Sequence, residues 1–154
     1  MNDDVRTALG THGFFIGMKP RHLDAIATLG TWSDHPAHSW LACAGDAPDR
    51  FHAIVSGRVG IEITSPASDP LIVATVHEGE VVGWSWFIDG QPWQFDVIAL
   101  DDVRSVAIDV ARLVDACGDD EELRHELSSR LLRVVASRLK ATRLQLMDVY
   151  GHAR

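Results

Sequence analysis

Three tryptophans and a phenylalanine that could form a binding surface fall within twelve residues in the middle of the sequence: Trp84, Trp86, Trp93 and Phe95. Indole faces stack on planar or cationic groups, and each indole also carries one N–H donor. This clustering predicts one of two arrangements. The rings line a pocket for a flat or apolar ligand, with Ser85 as an additional donor, or they pack together and leave no pocket open.

The histidines lack the spacing of a metal site. His35 and His38 form a His-x-x-His pair across a proline, whereas His52 and His77 stand in strand-like runs. A cupin-type site needs His-x-His, a carboxylate shortly after it and a distant third histidine, so we expect structural or solvent-facing histidines and no metal. No catalytic triad order, paired carboxylates or glycine-rich phosphate loop stands out either, and we expect no enzymatic activity.

The composition is that of one globular domain with an acidic body. The chain has 154 residues, 46% of them hydrophobic, with 14 basic and 22 acidic side chains. Residues 119–154 hold 7 of the basic and 6 of the acidic ones, so the first 118 residues have a local charge of −9. Phosphate contacts supply most of the affinity for nucleic acid, so we expect no direct DNA binding.

The location of the protein is predicted from what the sequence lacks. It shows no apolar start of signal length and no uncharged stretch of membrane length. Its two cysteines, Cys43 and Cys117, do not form a disulfide framework. We therefore expect a cytoplasmic protein that does not contact a membrane.

The elements that position these residues follow from the periodicity of apolar side chains. The segment Lys19–Leu29 predicts a helix that Gly30 ends. Between residues 31 and 109, short runs rich in Val, Ile, Phe and Trp alternate with turn signals, which predicts seven or eight strands in a sandwich or barrel. In one of these strands, alternation predicts that three apolar side chains share one buried face: Val59, Ile61 and Ile63.

Two helices are expected after the strands. A short one ends where Gly118 breaks it, and Asp119 with Glu122 has the spacing of a capping box that begins a second helix of about thirty residues. Gly151 is the expected C-terminal cap. The second half of this helix has the 3-4 alternation of a coiled-coil seam, made by Leu132, Val135, Leu139, Thr142, Leu146 and Val149. We expect a homodimer through this seam; the alternative is a helix folded back on its own domain.

Three segments carry a resemblance to a known family: FFIGMKPRHLDAIATLG (residues 14–30), FHAIVSGRVGIEI (51–63) and EGEVVGWSWF (78–87). In this order they resemble the cyclic nucleotide-binding domain family, in particular the sensor half of Crp/Fnr-type regulators. The resemblance implies an α+β, mainly β fold: a β-roll (double-stranded β-helix or jelly roll) preceded by a helix, over residues 1–118. A long dimerisation helix, over residues 119–151, belongs to the same single domain.

The resemblance also implies a phosphate-binding cassette at residues 83–96, and here the sequence departs from the family. Gly83 and Pro92 are kept, but Trp84 stands where the family's glutamate holds the ribose, and Trp93 stands where its arginine neutralises the phosphate. We therefore expect an apolar cradle without a cation, and altered or lost cyclic AMP binding.

A cation to neutralise a bound phosphate could come from the predicted long helix. Arg138 and Arg143 are the candidates, of this chain or of a partner, and the segment Arg138–Thr142 resembles the family's Arg-Leu-Gln-x-Thr stretch, which contacts the purine. The predicted ligand-binding residues are therefore Gly83, Trp84, Ser85, Trp86, Trp93, Gln94, Phe95, Arg138 and Thr142.

The resemblance implies a regulatory, ligand-sensing homodimer in signal transduction, without a resident cofactor, whose ligand is a cyclic nucleotide or another planar small molecule. Family members continue after the long helix with a helix-turn-helix domain, whereas this sequence stops at Arg154. We therefore expect output through the dimer surface or a partner protein. The alternative is a structural or adaptor protein, mediating protein–protein interaction, whose pocket is closed by Trp84 and Trp93.

Overall fold

The computed structural model describes residues 2–152, in which five helices and eight strands follow one another. Two helices come first: α1 (Asn2–Thr11) and α2 (Pro20–Ala27). The strands are β1 (Gly30–His35), β2 (Trp40–Ala42), β3 (Arg50–Ser56), β4 (Val59–Ser65), β5 (Ser68–Val76), β6 (Val81–Val82), β7 (Asp96–Ala99) and β8 (Val103–Asp109). The remaining helices are α3 (Trp86–Asp89), between β6 and β7, then α4 (Val110–Asp119) and α5 (Glu121–His152).

The strands form two antiparallel four-stranded sheets. The first has the order β1-β8-β3-β6 and the second the order β2-β7-β4-β5, so the chain crosses repeatedly from one sheet to the other. The predicted two-layered β-structure is therefore present. One strand, β1, was not among the predicted runs, because its sequence GTWSDH has too few apolar residues to stand out.

The hydrophobic core lies between the two sheets, because both contribute buried side chains to one cluster. That cluster consists of Ala42, Ile54, Val59, Val76, Val82, Trp93, Val97, Ala99 and Val103. The opposite face of the first sheet carries the N-terminal helices: Val5 of α1 and Val106 of β8 both lie within contact distance of Gly30. The sequence did not predict α1, whose buried residues Val5 and Leu9 are too few for a clear helical pattern.

Strand β4 does not keep the predicted alternation along its whole length. It pairs antiparallel with β5 and β7, as expected for a half-buried strand, but its register with β5 shifts between Ile61 and Glu62. The extra residue at this bulge is Val73 of β5, because Ile61 pairs with Ala74 and Glu62 pairs with Ile72, whereas β4 keeps an unbroken register with β7. Glu62 is buried and Ile63 is 43% exposed, so the prediction that Ile63 is buried together with Val59 is wrong.

The two C-terminal helices meet one or two residues later than the sequence suggests. Gly118 lies inside α4 and does not break it. The residue that caps α5 is Asp120, whose carboxylate accepts a hydrogen bond from the Leu123 N–H at 3.1 Å, so the prediction of Asp119 as the cap is wrong by one position. The chain divides into two compact units, residues 1–119 and 120–154. Within residues 2–152, none of the helices is long and apolar enough to cross a membrane.

Candidate functional site

A cavity of about 440 Å³ opens inside the first unit, between the two sheets. Its size falls within the range of small-molecule sites. Strands β1, β2, β3 and β8, the β2–β3 loop and one residue from the segment between α3 and β7 supply its walls. The lining residues are Ser33, His35, Leu41, Ala42, Asp46, Ala47, Asp49, Arg50, His52, Trp93 and Ala107.

One wall of the cavity is polar because the strands of the first sheet present hydroxyls and imidazoles to the interior. A ring nitrogen of His35 lies 2.8 Å from the Ser33 hydroxyl, and Nδ1 of His52 lies 3.2 Å from the Ser105 hydroxyl. The two imidazole rings also pack edge to face, with their centroids 5.8 Å apart. These contacts fix both rings side by side on the wall.

Both imidazoles of this wall are neutral at pH 7. Burial, together with the nearby His35 and Arg50, lowers the pKa of His52 to about 4, and its side chain is only 4% exposed. Burial also lowers the pKa of His35, although the Asp34 carboxylate partly opposes that shift. A neutral imidazole has one N–H donor and one acceptor nitrogen, so the wall offers hydrogen bonds and no positive charge.

The mouth of the cavity carries the site's only charges among the described lining residues. Arg50 begins β3 and pairs with Asp109 across the sheet, with their charged groups 3.6 Å apart. Asp46 and Asp49, in the loop before β3, face the same cavity. Arg50 thus brings a cation to the cavity from a strand outside the predicted cassette, which itself contains no Lys or Arg.

Within the predicted cassette, the side chain of Trp93 packs over the turn at Gly83. Gly83 follows β6 with a φ of +91°, which an L side chain rarely adopts, and the Trp93 indole lies directly over it. A Cβ on Gly83 would stand 2.6 Å from Cη2 of Trp93 and 2.9 Å from the Arg50 carbonyl oxygen. The indole of Trp93 thus fills the space above the turn.

Two backbone hydrogen bonds hold Trp93 in this place. Its N–H donates to the Asp46 carbonyl at 3.0 Å, and its carbonyl accepts from the Gly45 N–H at 2.8 Å. The side chain is a member of the core cluster between the sheets and also forms part of the cavity wall. Trp93 is therefore a structural residue of the roll as well as a lining residue.

The other predicted cassette residues occupy different places. Trp86 is buried and packs edge to face against Phe51 and Phe87, with centroid distances of 6.0 and 5.2 Å. Phe51 points to the face of β3 opposite His52, so Trp86 lies on the far side of the first sheet from the cavity. Trp84 and Ser85 are half-buried, and Gln94 and Phe95 are exposed. Of the cassette residues that the structure describes, only Trp93 lines the cavity.

The remaining predicted residues lie on α5, in the second unit. Thr142 is exposed, and its hydroxyl donates to the Arg138 carbonyl at 2.9 Å. A contact of Arg138, Thr142 or Arg143 with a ligand stays a prediction. The predicted seam on the same helix presents apolar side chains to solvent in this single chain, among them Leu132 at 69% and Leu139 at 49% exposure.

Comparison with known proteins decides the family. The family model for the cyclic nucleotide-binding domain matches residues 33–120, which is more than half of the chain and includes the cavity, the cassette and all the strands apart from the first three residues of β1. The chain belongs to the cyclic nucleotide-binding domain family. Both the predicted family and the predicted fold class, a mainly β jelly roll with a helix before it and a long helix after it, are confirmed.

Similar proteins agree with this assignment. A CRP-like cAMP-activated global transcriptional regulator of Mycobacterium tuberculosis is 28% identical over 141 residues, which are 92% of this chain. The chain spans 61% of that regulator's length. A cyclic nucleotide-binding domain of Methylobacillus flagellatus has a TM-score of 0.79 at 17% identity, over 96% of this chain and 83% of its own.

A more distant fold relative is the regulatory domain of Toxoplasma gondii PKA, whose structure was determined with cAMP. It gives a TM-score of 0.71 at 16% identity, over 86% of this chain and 50% of its own. This chain and these proteins thus share the cyclic nucleotide-binding domain fold.

The sequence analysis did not identify the β3 residues that line the cavity, Arg50 and His52. A signal for them exists: in RFHAIVS, an alternation of two places Arg50, His52 and Ile54 on one face. Two polar residues that share a face with a core isoleucine indicate a polar pocket inside the roll.

Proposed function

We propose that this chain is a non-enzymatic, dimeric ligand-sensing module of the cytoplasm in which ordinary cyclic AMP binding is altered or lost. The observation that carries the proposal is the position of Trp93. Its indole lies over the Gly83 turn and is 8% exposed, within the core cluster. A phosphate seated on that turn would have to displace a core side chain.

The charges around the cavity support the same proposal. Arg50 is the cation that a cyclic phosphate would need, but Asp109 lies 3.6 Å from it across the sheet, and Asp46 and Asp49 face the same cavity. An anion brought to this mouth meets more negative than positive charge. Since burying a charge without a compensating partner costs several kcal/mol, these neighbours oppose the binding of a phosphate.

A regulatory role without cyclic AMP requires that another ligand has a place to bind. The cavity of about 440 Å³ beside Trp93 supplies that place and favours a sensing module over a closed scaffold. The second candidate function, a structural or adaptor protein, is supported by the same burial of Trp93, and it predicts that no small molecule enters the remaining space.

Dimerisation is proposed through the second half of α5. Leu132, Leu139 and Leu146 recur at intervals of seven residues and are each about half or more exposed. A heptad of leucines on one face of a helix is the pattern that a partner helix covers in a coiled coil. A second copy of this chain supplies that helix in the proposed dimer, and ligand binding would act on how the two helices meet.

Isothermal titration with cyclic AMP and cyclic GMP tests the proposal. The unmodified chain is expected to give no saturable heat at millimolar ligand. The matched variant, Trp84→Glu combined with Trp93→Arg, restores the family's side-chain pair and is expected to bind cyclic AMP, provided that circular dichroism shows the native fold. Micromolar binding of cyclic AMP by the unmodified chain would contradict the proposal.

A further inference from the structure

The lining of the cavity allows the class of ligand to be named, an inference that rests on the proposed function. The polar groups inside come from the strands: the Ser33–His35 pair and the Ser105–His52 pair. Each imidazole uses one ring nitrogen for its serine. A hydroxyl can donate or accept, so either tautomer satisfies the pair and the second nitrogen is left as a donor or an acceptor.

The charges at the cavity select against anions. Among the described lining residues, one guanidinium stands against the two carboxylates of Asp46 and Asp49, a formal charge of −1. The guanidinium of Arg50 is further compensated by Asp109, its partner across the sheet. The histidines do not alter this balance at neutral pH, because burial keeps both of them uncharged.

The shape of the lining favours a flat molecule. The Trp93 indole forms one part of the wall, and the His35 and His52 rings form another. Aromatic faces stack on planar rings, and the ring nitrogens supply directional hydrogen bonds at the edge. Apart from Ser33, the other uncharged lining residues have small or aliphatic side chains: Leu41, Ala42, Ala47 and Ala107.

We infer that the cavity binds an uncharged planar nitrogen heterocycle of the nucleobase or nucleoside class, and that it rejects the corresponding phosphates. The ring lies against Trp93, and its edge exchanges hydrogen bonds with His52 and His35. Asp46 and Asp49 at the mouth accept hydrogen bonds from hydroxyl or amino groups and repel a phosphate.

The test is isothermal titration of the full chain with adenosine, guanosine, cytidine and uridine, and with cyclic AMP and cyclic GMP, at one pH and salt concentration. At least one nucleoside is expected to bind at least tenfold more tightly than either cyclic nucleotide. His52→Leu is expected to weaken that binding tenfold or more, whereas the control His77→Gln, at an exposed position, leaves it unchanged.

A second variant tests the role of charge without disturbing the fold. Asp49 is exposed, and Asp49→Asn keeps its size while removing one negative charge. This variant is expected to bind the nucleoside as the unmodified chain does, and to give saturable heat with cyclic AMP at millimolar ligand, where the unmodified chain gives none. Nucleoside binding without any gain of cyclic AMP binding by this variant would overturn the electrostatic argument.

The outcomes separate this inference from the proposed function. If none of the nucleosides and neither cyclic nucleotide binds at millimolar concentration, the inference is overturned while the proposed loss of cyclic AMP binding stands. If a cyclic nucleotide binds more tightly than every nucleoside, the inference is overturned, and micromolar binding of cyclic AMP overturns the proposed function as well.

Discussion

The neutral imidazole of His52 makes the stability of the fold depend on pH in a way that can be calculated. Its pKa in the folded chain is about 4, against an ordinary value of 6.5. As pH falls below 6.5, the unfolded chain takes up a proton that the folded chain refuses. The contribution of His52 to the free energy of unfolding is therefore complete above pH 6.5 and declines through the window from 6.5 to 4.

The magnitude follows from the difference of about 2.5 pKa units at about 1.4 kcal/mol per unit, which gives a total loss of about 3.4 kcal/mol. At pH 5 about 2 kcal/mol of this is lost. Because His12 and His35 also have lowered pKa values, the unmodified chain loses additional stability over the same window. The effect of His52 must therefore be measured as a difference between variants.

The assay is urea denaturation at pH 7.5 and pH 5.0, at one protein concentration, followed by tryptophan fluorescence. His52→Asn removes the titrating group and keeps a polar side chain near Ser105, and His77→Asn is the control at an exposed histidine. Between the two pH values, His52→Asn should lose about 2 kcal/mol less than the unmodified chain. Equal losses in all three proteins would refute the assignment of a buried neutral histidine to the cavity wall.

Three further perturbations test the cassette and the long helix. Gly83→Ala is expected to destabilise the chain by more than about 2 kcal/mol in urea denaturation, because the added Cβ meets Trp93 and the φ is positive; a change below about 0.5 kcal/mol would contradict the close packing. Trp93→Ala is expected to cost about 3–5 kcal/mol, and Trp40→Ala, at a half-exposed tryptophan, clearly less; equal costs would mean that Trp93 is not a core residue. Leu139→Asp is expected to shift the chain from dimer to monomer in sedimentation equilibrium, whereas Ser137→Asp, at an exposed position outside the predicted seam, is expected to leave it dimeric. If both variants remain dimeric, the predicted seam is not the dimer interface.

The fold could be predicted from the sequence to a large extent, for physical reasons. The strands recur between strong turn signals, and the long helix has an uninterrupted pattern up to Tyr150. The details were less certain, because β5 has an extra residue, Val73, where its register with β4 shifts, and because Asp119 and Asp120 are equally suited to cap α5. Periodicity contains no information about a register shift within a strand.

The site was predicted less completely than the fold. The resemblance to the family draws attention to Trp93 from the sequence, and the structure places that residue in the cavity wall. Trp86 is three residues from Gly83 along the chain, yet it packs on the other face of the first sheet, against Phe51. Arg50 and His52 enter the cavity from β3, and only the folded sheets bring them close to Trp93.

The account depends most directly on the place of the Trp93 indole when cyclic AMP is offered to the protein. A crystal structure grown at millimolar cyclic AMP measures this. We expect the indole to remain packed over Gly83, with no cyclic phosphate on the turn. Electron density for a cyclic phosphate on the Gly83 turn, beside an arginine and with the indole displaced, would contradict the account.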